Sequence, residues 1–161
     1  MLCRKSIMPW TVYIRRNDST PLGALDAVQN TIRSRLEGTE FWRDPSGADK
    51  AKHMPEEHRE QFAKLFSHLP ADTRGLYESN NLSFEFFLGS SDVVNTITLD
   101  VRGNGNPIPI LRELACDGDW IIEEPSAGIL DLSADDSAEW ERFVQYRESG
   151  VKEIKDRERN P

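Results

Sequence analysis

Two alternating runs, LSFEFFL (Leu82–Leu88) and VVNTITLDVR (Val93–Arg102), are joined only by GSSD. Alternation of apolar and polar side chains makes a strand with one face buried, and a short turn-rich join between two such runs makes an antiparallel hairpin. In the second run Val93, Asn95, Ile97, Leu99 and Val101 point one way, and Val94, Thr96, Thr98, Asp100 and Arg102 the other. The hairpin therefore commits the chain to a sheet with one packed face and one wet face, and the remaining elements must cover the packed one.

Those elements follow in a definite order. WTVYIRR (Trp10–Arg16) reads as another strand, rich in β-branched and aromatic residues. Thr20 before Pro21 marks a helix start, and Leu22, Leu25, Val28, Ile32 and Leu36 recur at helical spacing up to Gly38. Residues 39–52 read as a loop. Pro55 opens a second helix whose stripe is Phe62, Leu65, Phe66 and Leu69, and residues 71–81 read as a polar connection. After RGNGNP, Pro107 opens a helix through Ile110, Leu111 and Leu114; Trp120–Glu123 and Gly128–Leu132 form a strand or hairpin around EPSA. Ser133 or Ser137 then caps a last helix that places Trp140, Phe143 and Val144 on one face.

Setting the second helix aside as an insertion and the last as an addition leaves β-α-β-β-α-β, the ferredoxin-like split βαβ order of an α+β protein, with an antiparallel sheet and helices on one face. At 161 residues the chain has room for one such domain, over residues 1–148, and the charged segment 149–161 is expected to fray.

Charge narrows the function. Residues 1–75 carry 12 Lys and Arg against 10 Asp and Glu, residues 76–161 carry 8 against 18, and the net charge is −8. Such a balance argues against nonspecific binding of nucleic acid, which rests on Lys and Arg neutralising phosphates. The excess is densest from Glu113 to Glu141, a stretch without Lys or Arg that includes Glu123, Glu124, Asp131, Asp135, Asp136, Glu139 and Glu141. Such a run is either a solvated face or a surface shaped for a basic partner, because complementary charge speeds encounter and rejects wrong partners. Trp120, Trp140 and Phe143 beside it serve as contact anchors or as core. No stretch approaches the roughly 18 apolar residues of a membrane span, and the opening MLCRKSIMPW lacks an apolar signal core, so a cytoplasmic protein with no membrane partner is expected.

Sites for chemistry are sparse. Gly103-Asn104-Gly105-Asn106-Pro107 follows a strand and precedes a helix, where amides can receive an anion, yet the same glycines serve a tight turn equally well. A pocket near Asp100–Pro107 is the site of the alternative reading, a small enzyme or ligand sensor. Glu85 and Asp100 would face each other on the wet side of the hairpin, as a carboxylate pair or as two solvated acids. His53, His58 and His68 are too widely spaced to share an ion, so no metal or cofactor is expected. Cys3 and Cys116 cannot make a disulfide framework, and Cys116, among acids that disfavour a thiolate, reads as a packed thiol.

The segment from Leu82 to Trp120, with Asp100-Val101-Arg102-Gly103, Pro107 and Pro109, followed by an acidic strand and a helix ending in WERFVQYRE, resembles small bacterial immunity-type proteins. Those proteins are encoded beside polymorphic, contact-delivered or type VI secreted toxins. Where their usual turn is Gly-Gly-Asp-Pro, this chain has Gly103-Asn104-Gly105-Asn106-Pro107. The resemblance implies a non-catalytic inhibitor that occludes a cognate toxin, with no catalytic residues; the charge pattern adds that the toxin is basic and that Asp131, Asp135, Asp136, Glu139, Glu141, Glu123 and Glu124 are the partner-binding residues.

Overall fold

The computed structural model describes residues 9–135 and 138–159. Its elements are β1 (Trp10–Arg16), β2 (Gly23–Ala24), α1 (Leu25–Arg35), β3 (Glu40–Asp44), α2 (Gly47–Lys52), α3 (Glu56–Phe66), β4 (Asp72–Ser79), β5 (Leu82–Gly89), β6 (Val93–Val94), β7 (Ile97–Gly103), α4 (Ile108–Leu114), β8 (Trp120–Glu124), β9 (Gly128–Ile129) and α5 (Ala138–Arg159). Seven strands form one antiparallel sheet in the order β3-β4-β5-β7-β1-β8-β9, and β2 pairs with β6 separately. The chain is an α+β protein.

One side of the sheet holds the core. Val12 and Ile14 of β1, Phe84 and Phe86 of β5, Ile97 and Leu99 of β7, and Ile122 of β8 are buried with Val28 and Ile32 of α1 and Ile108, Leu111 and Leu114 of α4. Burying one such aliphatic or aromatic side chain contributes about 1.5–3 kcal/mol, which is why period-two strands and period-3.6 helices lock onto one another here. α5 joins the same side through aromatics: Trp10 lies 5.5 Å from Phe143 and 5.9 Å from Trp140, ring centre to ring centre. Trp120 is buried with the Arg35 guanidinium 4.7 Å above its ring. Trp120, Trp140 and Phe143 are therefore packing residues.

Several sequence expectations are corrected. The expected loop at 39–52 contains β3 and α2, and the expected polar connection at 71–81 contains β4. Thr20 does not cap α1: its amide and hydroxyl both donate to Asp18 Oδ1, Leu22 donates its amide to Val94, and the helix starts only at Leu25. Val93 and Asn95 are exposed because the long strand starts at Ile97, and the residues before it turn away to pair with β2. α5 runs to Arg159, and Asp136 and Ser137 lie outside the described residues. None of α3 is buried, so its apolar stripe is not part of the core.

Two glycines fix how the periphery joins. Gly103 has φ +120, and a Cβ there would fall 1.9 Å from the Asn81 carbonyl oxygen, so β7 passes the β4–β5 turn at a distance only glycine allows. A Cβ on Gly47 would sit 1.7 Å from the Phe66 carbonyl oxygen, and the Gly47 amide donates to Leu69, which latches α2 to the end of α3.

Candidate functional site

Alternation places a second set of side chains on the face away from α1, α4 and α5, and these stay partly exposed. β1 contributes Thr11, Tyr13 and Arg15, β7 contributes Thr98, Asp100 and Arg102, and β5 contributes Ser83, Glu85 and Phe87. At one end β4 and β3 add Arg74, Leu76 and Trp42, together with Asp72, Glu78, Glu40 and Asp44; at the other β8 adds Ile121 and Glu123.

Ionic contacts run across this open face from strand to strand. Lys50 reaches Asp44 at 2.7 Å; Arg74 reaches Asp44 at 3.3 Å, Asp72 at 3.6 Å and Glu85 at 3.7 Å; Arg102 reaches Glu85 at 3.0 Å and Asp100 at 3.5 Å. Thr11 donates to Asp100 at 2.6 Å, and Arg15 pairs with Glu123 at 2.7 Å. The Arg74 guanidinium also lies 4.9 Å over the Phe87 ring. Five carboxylates thus share three guanidinium groups and the Lys50 ammonium, and the other two acids of the face, Glu40 and Glu78, have no ion-pair partner among the described residues. The face stays acidic after its own arginines are spent, with Tyr13, Phe87, Leu76 and Trp42 set between the charges.

The acids singled out in the sequence do not make one surface. Glu123 belongs to the open face, whereas its neighbour Glu124 points to the opposite one, where its carboxylate takes the Ser126 amide and hydroxyl and the Ala127 amide at 2.6–3.0 Å and holds the β8–β9 turn. Asp131 receives the Ser133 amide at 2.9 Å, and hydrogen bonding from Ser133, side chain first and amide second, holds its carboxyl below the usual range. Asp135 pairs with Arg112 at 2.6 Å while its carbonyl accepts from Asn106. Asp136 lies outside the described residues. Glu139 lines, with Glu124, Trp10, Arg142 and Phe143, a pocket of about 400 Å³, and Glu141 is exposed. Within the same run, Asp117 pairs with Arg35 and Asp119 with Arg16.

Several polar groups of the Gly103–Pro107 turn serve the fold. The Asn104 amide donates to Asn81, Asn106 caps the Ile108 amide at 3.0 Å, and Arg147 of α5 donates to the Gly103 carbonyl. Cys116, expected to be packed, is exposed, because α4 ends at Leu114 and Cys116 falls in the turn beyond. Among the described residues no three His, Cys, Asp or Glu side chains gather as a metal site, and no helix is long and apolar enough to cross a membrane.

No protein-family model, curated protein or solved structure matches this chain. The open face therefore rests on its own geometry. Sequence reasoning anticipated Glu85, Asp100 and Glu123 as acids of this region but missed Glu40, Asp44, Asp72, Arg74 and Glu78, because β3 and β4 had not been recognised as strands. One signal was present: in DTRGLYES, Arg74 and Leu76 alternate with Thr73, Gly75 and Tyr77.

Proposed function

We propose that this chain is a non-catalytic protein-binding inhibitor, an immunity-type protein that neutralises a basic toxin in the cytoplasm by covering it, and that the open sheet face does the covering. One observation carries the reading: a partly exposed face that also presents aromatic side chains sets seven carboxylates against three arginines and Lys50, and leaves Glu40 and Glu78 without an ion-pair partner among the described residues. A basic surface would supply the missing cations, and the field of the face would raise its rate of encounter. The inner strands β5-β7-β1-β8, with α1 and α4 on one side, support a ferredoxin-like split βαβ core to which β3, β4 and the α2–α3 pair add an edge. Glu124, Asp131, Asp135, Glu139 and Glu141 remain the rival surface, on the helical side and around the β8–β9 turn.

Co-expression with the protein encoded beside it tests the reading. The chain should rescue growth; Glu40→Lys with Glu78→Lys should abolish rescue, and Glu139→Lys with Glu141→Lys should preserve it. Absence of rescue by the unmodified chain overturns the immunity reading. Loss of rescue only in the second pair moves the surface to the helical side.

A further inference from the structure

Two strands of the sheet carry the same short pattern. β3 holds Glu40-Phe41-Trp42 and β5 holds Glu85-Phe86-Phe87, in each case an acid, a phenylalanine and a second aromatic. Both middle phenylalanines turn to the core side, where their ring centres lie 6.3 Å apart, so the acid and the outer aromatic of each strand share the open face. β4 runs between the two and gives them the same neighbours: Arg74 stands opposite both Trp42 and Phe87, and Leu76 stands opposite both Glu40 and Glu85.

The two halves are filled unequally. Arg74 lies 4.9 Å over the Phe87 ring and 3.7 Å from Glu85, so the β5 half holds a guanidinium stacked on the aromatic and paired with the acid two residues before it. The other contacts of Arg74 go to Asp44 and Asp72. Among the described residues no cation lies over Trp42 and none pairs with Glu40. Trp42 is 41% exposed, and Glu78, exposed two residues beyond Leu76 on β4, brings a second unpaired carboxylate to the same half.

We propose that Trp42, Glu40 and Glu78 receive one arginine side chain of the partner protein, which repeats on β3 the arrangement that Arg74 makes with Phe87 and Glu85. The proposal rests on the reading of the open face as the surface for a basic protein, and it selects arginine over lysine. A planar guanidinium stacks on the indole while its N–H groups donate to a carboxylate, and its methylenes lie along Leu76. A lysine ammonium is a hydrated point charge with no flat surface to offer the ring.

Two peptides test it by NMR titration: one built from arginine, glycine and serine, the other with lysine in place of every arginine. The arginine peptide should bind about fivefold tighter, the scale of a cation–ring contact at an exposed site, and should shift the indole N–H signal of Trp42. Trp42→Leu and Glu40→Gln, both at exposed positions, should each bring the preference below about twofold while circular dichroism stays unchanged. Equal binding of the two peptides, or a preference that survives in either variant, overturns the arginine site and leaves the acidic face standing. Failure of both peptides to bind overturns both.

Discussion

Glu85 and Asp100 face each other across β5 and β7, and Arg102 stands between them at 3.0 Å from one and 3.5 Å from the other. Two carboxylates in register on neighbouring strands repel, so the pair is held by the guanidinium it shares. Both acids are mostly covered, at 21% and 16% side-chain exposure, whereas Arg102 is 42% exposed. Solvent screening therefore limits what the arginine contributes. Arg102→Gln should lower unfolding free energy by on the order of 1 kcal/mol at neutral pH, and adding Glu85→Gln should restore most of it. Urea unfolding of the single and double variants measures the coupling; equal loss in both would show that Arg102 acts by packing alone.

Trp10 is where α5 meets the sheet, stacked on Phe143 and close to Trp140. Trp10→Ala should cost about 3–5 kcal/mol, the range for emptying an aromatic core site. It should also speed amide exchange along α5 before it affects β5 and β7. Hydrogen exchange resolved by residue reads this directly, and uniform acceleration across the sheet and α5 would show that α5 is not a separable unit.

The Asp131 carboxyl is held below its usual pKa by the Ser133 hydroxyl and amide. A folded-state pKa below the unfolded one gives stability that is present above the unfolded value and lost as pH falls through the folded one. Ser133→Ala should raise the Asp131 midpoint toward an ordinary aspartate, as followed by carboxyl-carbon NMR. An unchanged midpoint would leave the amide as the sole cause.

The legible parts of the fold were those with one clean period. Trp10–Arg16, Leu82–Leu88 and the Ile97–Arg102 stretch alternate because one face of each meets the core, and α1 and α4 repeat at helical spacing for the same reason. β3 and β4 lie at the sheet edge, where the core side offers only Phe41, Thr73, Gly75 and Tyr77, so period two is diluted by a glycine, a threonine and half-wet aromatics. The site was less legible still. Acids between Glu113 and Glu141 looked unneutralised because Arg15, Arg16 and Arg35 lie some hundred residues away, and Arg112 just outside the run turns back onto Asp135. Glu123 and Glu124 are adjacent in sequence but opposite in space, since successive strand residues point to opposite faces.

The central claim is that the open face, and not the helical side, receives a basic partner. An NMR titration with a lysine-rich peptide at low salt tests it most directly, because every carboxylate reports its own contact. The account predicts the largest carboxyl-carbon shifts at Glu40, Glu78, Glu85, Asp100 and Glu123. Shifts concentrated at Glu124, Glu139 and Glu141, with the open face silent, would contradict it.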